Sequence, residues 1–151
     1  MTENKTYSIE KVLENEGRML EMTVGYSMWP MLRTRKNPIV IEKKTRPVKV
    51  NDVVLYKRPS GKYVLHRVIK IKDGRLIIRG DNCYFNEYDI TEEHIFGLLC
   101  GFYRGERYID CNCHLGYKMY VAFWKAIYPL RFCWQKFKSL MRKIIRRMKG
   151  N

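Results

Sequence analysis

Residues 117–151 contain no aspartate or glutamate, yet they hold ten of the thirty lysines and arginines. Residues 1–116 hold the other twenty basic residues and all fifteen acids. The net charge of +15 is therefore mainly a property of a C-terminal appendage joined to a mildly basic domain. Cysteine is scarce and odd in number: Cys83, Cys100, Cys111, Cys113 and Cys133. That count excludes a fully paired disulfide framework and argues for reduced thiols in a cytoplasmic setting. Positions 1–21 are polar, so no cleavable signal peptide is expected. Internal repeats and low-complexity linkers are absent. A composition 46% hydrophobic and 30% charged excludes a disordered chain, and 151 residues suit one domain with some to spare.

Ser8 is a candidate N-cap, and Ile9, Val12, Leu13 and Leu20 recur near helical spacing, which predicts a short amphipathic helix over 8–20 within an N-terminal segment 1–21. One such helix does not make a DNA-reading helix-turn-helix. The pattern then changes to short β-rich runs at 21–24, 38–42, 53–57, 63–71, 76–79 and 97–104. Asn37-Pro38, Asn51-Asp52, Pro59-Ser60-Gly61 and Asp73-Gly74 separate them. A compact, mainly antiparallel β domain over 22–110 is the expectation. From Tyr117 the pattern is helical, with Pro129 expected to break or kink it.

Within Gly25-Tyr26-Ser27-Met28-Trp29-Pro30, Gly25 permits a tight bend and Pro30 favours an extended Trp29. A serine between them is rigidly held, as a nucleophile must be, although most loop serines are not catalytic. A serine hydroxyl also needs a nearby base. Of the three histidines, His94 follows Glu92-Glu93 in a surface turn and His114 sits beside Cys113. His66 lies inside the clearest strand. If Asp73-Gly74 is a two-residue turn, Lys72 faces Arg75, Ile71 faces Leu76 and Ile69 faces Ile78. Carried further, His66 faces Asp81, an acid that would fix its tautomer, and a bulge would separate the pair. A lysine-based mechanism would instead use a residue such as Lys57 or Lys70. Cys111-Asn112-Cys113-His114 has no second ligand pair and reads as a reduced hinge, so no metal or cofactor is expected.

Three blocks in order, Gly25-Tyr26-Ser27-Met28-Trp29-Pro30, Val50-Asn51-Asp52-Val53-Val54-Leu55-Tyr56, and His66-Arg67-Val68-Ile69 followed by Gly80-Asp81-Asn82, resemble the signal peptidase I and LexA-type serine peptidase group over residues 22–106. His66 before Arg67-Val68, where much of the group has lysine, is similar to the archaeal and endoplasmic-reticulum branch. The resemblance implies a coiled antiparallel β-sheet peptidase domain and endoproteolysis of a leader or preprotein. Ser27 would attack, His66 would move the proton and Asp81 would orient it. Gly25 stands where signal peptidases commonly carry a serine, so backbone N–H groups including that of Ser27 would hold the oxyanion. Glu87 occupies the place six residues after Asp81 where the eukaryotic branch has a further aspartate, and Asp89 follows, so either is a possible second acid.

The tail, 115–151, is amphipathic. Trp134, Phe137, Leu140, Ile144 and Ile145 belong to one stripe, and Arg142, Lys143, Arg146 and Arg147 to the opposite face and flanks. It falls short of the roughly 20 apolar residues a spanning helix needs. It predicts peripheral attachment to an anionic membrane surface. Packing on the β domain and integral insertion are the alternatives, and nucleic acid is not expected as a partner. A non-catalytic peptide-binding or basic membrane-surface protein is the rival functional reading.

Overall fold

The computed structural model describes residues 8–149. The chain is mainly β: eight antiparallel strands in one sheet, with one helix before it and two after. Helix α1 spans Ile9–Glu16; the Ser8 side chain accepts from Lys11 N, and Gly17 closes the helix in the left-handed region. The helix therefore stops short of the expected residue 20. Leu20 lies on strand β1 (Arg18–Met22) and is exposed. Residues 1–7 of the expected N-terminal segment lie outside the described residues.

The remaining strands are β2 (Pro38–Lys43), β3 (Val53–Lys57), β4 (Tyr63–Lys72), β5 (Arg75–Arg79), β6 (Glu87–Thr91), β7 (Ile95–Arg104) and β8 (Arg107–Asp110). Their order is β1-β2-β7-β3-β4-β5-β6, with β8 also paired to β7. Sequence patterning missed β6, which is short and polar, and β8, a four-residue return after Gly105. In β3, alternate residues serve two cores. Val53 and Leu55 join Leu13, Met28, Met31, Ile41 and Phe102, while Val54 and Tyr56 join Val68, Leu76, Ile78 and Ile95. Burial on both faces is why β3 reads as a continuous apolar run.

The β4–β5 hairpin decides the site. Asp73 and Gly74 both have positive φ, as a type I′ turn requires, and Lys72↔Arg75 and Ile71↔Leu76 pair as expected. A bulge then intervenes at Ile69: Lys70 faces Ile77, and Val68, not Ile69, faces Ile78. Val68 and Ile78 are both fully buried, whereas Ile69 is half-buried. The bulge gives Ile78 the better-buried partner. Beyond it the register has moved by one residue, so Arg67 faces Arg79 and Gly80 follows opposite His66.

Helix α2 (Leu115–Ala126) is capped by the His114 side chain, which accepts from Tyr117 N. Cys111-Asn112-Cys113-His114 is thus the turn that launches this helix. Tyr117 and Tyr120 pack on the first core. Helix α3 (Tyr128–Lys149) follows at once, with Pro129 in its first turn, where a missing N–H costs nothing. Among the described residues no helix is long and apolar enough to cross a membrane.

Candidate active site

Ser27 sits in a run of turns between β1 and β2. Gly25 has φ of 105°, a conformation that side chains oppose, and its N–H donates to Thr34 Oγ1 at 3.1 Å. Trp29 N donates to Tyr26 O at 3.2 Å, closing a turn around Ser27, and the Trp29-Pro30 peptide is cis. Trp29 therefore lies within a turn. Met28, Met31 and Leu32 are buried and anchor the segment in the first core. Ser27 itself is half-buried. Its Oγ has no hydrogen bond to His66, and among the described residues its backbone N–H has no acceptor.

His66 is buried on β4, opposite Val54. Its Nδ1 lies 3.0 Å from Glu87 Oε1 and 3.3 Å from Tyr56 Oη. A carboxylate beside Nδ1 requires the proton there, which leaves the Nε2 lone pair free to accept. Nε2 and the Ser27 carbonyl border one space beside Gly80. A Cβ added to Gly80 would meet Ser27 O at 2.7 Å, Cys83 Sγ at 2.9 Å and His66 Nε2 at 2.9 Å. Glycine at 80 is what lets these three groups converge.

Glu87 is fixed in turn by Arg58, whose Nε donates to Oε2 at 2.9 Å and whose Nη2 donates to Oε1 at 2.5 Å. Burial alone would raise the Glu87 pKa. Hydrogen bonds from Arg58 and Tyr56, with His66 close by, hold it below the ordinary carboxylate value. Burial lowers the pKa of His66 below its usual 6.5, and the Glu87 charge offsets this only in part. The pair at neutral pH is thus an ionised glutamate and a neutral, proton-accepting imidazole. Burial pushes the Cys83 thiol up, which keeps it protonated beside Nε2.

Asp81 does not occupy the expected place opposite His66. The one-residue shift at the bulge sets it diagonal to Arg67, which grips both its oxygens at 2.8 and 2.7 Å. The second of these oxygens also accepts from Tyr120 Oη at 3.0 Å. Asp89 forms an exposed pair with Arg75, away from His66. Of the three acids considered, Glu87 alone contacts the histidine. His94 sits in a 3-10 turn at Glu92–His94, and His114 is a helix cap. Lys57 pairs with Glu10 at 3.0 Å. Sequence reasoning missed Tyr56, Arg58, Gly80 and Cys83. Tyr56 was accessible in principle: the Pro59-Ser60-Gly61 turn pairs it with Val64, diagonal to His66.

A cleft of about 590 Å³ opens beside Ser27 and His66, walled by Met19, Met22, Val24, Leu32, Ile39, Leu55 and Phe85. It runs along β1, which among the described residues is an edge strand of the sheet. No metal-ligating cluster occurs among the described residues. Comparison with protein-family models found no match for this chain, and comparison with curated protein sequences found none either.

Proposed function

We propose that this chain is a serine endopeptidase similar to the Ser-His-acid branch of the signal peptidases, with that group's coiled β-sheet fold, cleaving a leader or signal segment from a peptide precursor. The observation that carries this reading is the histidine. One ring nitrogen is fixed by a carboxylate, and the other borders the same space beside Gly80 as the carbonyl of a tightly constrained serine, both residues lining one apolar cleft. Ser27 Oγ attacks the scissile carbonyl as its proton passes to His66 Nε2. The oxyanion accepts from the Ser27 N–H. His66 then returns the proton to the departing amine as the C–N bond breaks, and water repeats the sequence on the acyl-enzyme. Glu87 holds the imidazole and balances its charge, the part that sequence reasoning had given to Asp81. The absence of a direct Ser27–His66 hydrogen bond is compatible with this assignment, because such bonds are often long in free enzymes and tighten with substrate.

The proposed location is a membrane surface, held peripherally by α3. Leu130, Trp134, Phe137, Leu140, Ile144 and Ile145 are exposed along one stripe. Arg142 is exposed as well; the side chains of Lys143, Arg146 and Arg147 lie outside what the structure describes. Beyond Arg131, α3 carries seven basic residues, and at roughly 1 kcal/mol each near an anionic leaflet they are ample for reversible attachment.

The test is incubation with candidate precursor peptides, with products read by mass spectrometry. Ser27→Ala should abolish cleavage while leaving the fold nearly intact. Undiminished turnover in that variant would end the peptidase reading.

A further inference from the structure

We propose that the helical tail is a working part of the site: it holds the peptide plane between Asp81 and Asn82, and through that plane the Ser27 turn, so that Trp124 and Arg131 are positioning residues. The inference rests on the peptidase reading of Ser27 and His66. Its basis is a single peptide group gripped from both ends. The Asp81 carbonyl accepts from Trp124 Nε1 at 2.8 Å and from Arg131 Nη2 at 3.1 Å. The N–H of the same peptide unit, that of Asn82, donates to the Ser27 carbonyl at 2.7 Å. A planar trans peptide points its C=O and N–H in opposite directions. Two donors from the tail on one end thus fix the direction in which the other end holds Ser27.

The surrounding contacts reinforce the same plane. The Arg131 guanidinium lies 3.7 Å from the Trp124 ring centroid, so the two donors brace one another. Tyr120 Oη donates to the Asp81 carboxylate, and Arg79 stacks 3.4 Å from the ring centroid of Tyr128. On the far side, Asn82 Nδ2 donates to Tyr26 O at 3.2 Å, and Cys83 N donates to Gly80 O at 2.9 Å, closing the turn. Gly80 has no room for a side chain, which would meet Ser27 O, Cys83 Sγ and His66 Nε2. A tilt of the Asp81–Asn82 plane therefore moves Ser27 relative to His66, while the part of the cleft wall that lies on strands, Met19, Met22, Ile39 and Leu55, stays in place. The expected signature is a loss in kcat with little change in KM.

The experiment uses the full chain carrying Trp124→Phe together with Arg131→Ala, which removes both donors and keeps an aromatic ring on α2. Val121→Ala is the control: Val121 is buried on α2 and lines the same small pocket as Asp81 and Trp124, but it donates nothing to the Asp81 carbonyl, so its loss removes packing and neither donor. Five quantities are read: kcat and KM on a cleaved precursor peptide, the rate of Ser27 labelling by a fluorophosphonate, amide hydrogen exchange at Asn82, and Tm. In the double variant kcat and labelling should each fall about tenfold or more, KM should stay within about twofold, and Asn82 should exchange about tenfold faster. Val121→Ala should lower Tm while keeping kcat and Asn82 protection. Wild-type kcat and Asn82 protection in the double variant would overturn the proposal, as would an equal loss of kcat in Val121→Ala. If the wild-type chain neither cleaves nor labels, the peptidase reading fails, and Asn82 exchange in the double variant still decides whether the tail holds the turn.

Discussion

Replacing Glu87 by glutamine removes one charge from the site and little volume, so it isolates what the carboxylate does. In the proposed mechanism His66 becomes an imidazolium in the transition state, with Nδ1 about 3.0 Å from Glu87 Oε1. Opposite unit charges about 4 Å apart interact by about 4 kcal/mol at an effective dielectric near 20. Arg58 already takes both oxygens of Glu87, so roughly half of that, about 2 kcal/mol, is available to His66. This corresponds to about 30-fold in rate. The amide adds a second conflict. If its oxygen faces Nδ1, its NH2 opposes the Nε–H of Arg58. If its NH2 faces Nδ1, the imidazole adopts the wrong tautomer, a fault worth up to about 10⁴-fold in serine triads. The expected loss in kcat thus lies between about 30-fold and about 10⁴-fold. Asp81→Asn should behave differently. It breaks a buried ion pair with Arg67, which costs about 3–5 kcal/mol of stability. The assay is kcat/KM against pH on a cleaved precursor, with Tm for each variant. The ascending limb, set by neutral His66, should move to lower pH in Glu87→Gln, because the carboxylate that raises the His66 pKa is gone. It should stay nearly in place in Asp81→Asn. A Glu87→Gln variant within about threefold of wild type, or a limb that follows Asp81 instead, would refute the assignment.

Gly80→Ala would place a Cβ 2.7 Å from Ser27 O and 2.9 Å from His66 Nε2, so the Ser27 turn must retreat. Overpacking of about 1–3 kcal/mol and a kcat loss of about 10²-fold are expected, read by thermal melts and initial rates. Stability should fall as pH drops below the ordinary histidine value of 6.5. The folded pKa values of His66 and Glu87 are both depressed, so the unfolded chain binds more protons in that window. His66→Gln should flatten the upper part of the fall, measured as Tm from pH 7.5 to 5. On vesicles of rising anionic content, Trp134→Ala with Phe137→Ala should reduce co-sedimentation of the full chain at least tenfold, and added salt should weaken what remains. Equal binding by the variant and the wild type would remove α3 from the membrane.

Local pattern was enough for the Asp73-Gly74 hairpin, for β3, for the turn around Ser27 and for the amphipathic tail. Each is set by residues within a few positions of one another: two consecutive left-handed residues, an apolar run, a glycine and a proline, a 3.6-residue period. The sequence also pointed to Ser27 and His66 as members of one site, and to Glu87 as one candidate acid among three. Which acid meets the histidine was not legible, because it depends on one inserted residue at Ile69. Nothing in that stretch marks the bulge. Val68 rather than Ile69 fills the core opposite Ile78, and only the packed sheet decides between two β-branched neighbours. The slip carries Asp81 to Arg67, and edge strand β6, too short and polar to be read as a strand, brings Glu87 to His66. The grip of Trp124 and Arg131 on the Asp81 carbonyl is likewise tertiary. It joins residues more than forty positions apart through a backbone group that every residue possesses, so no residue type could announce it.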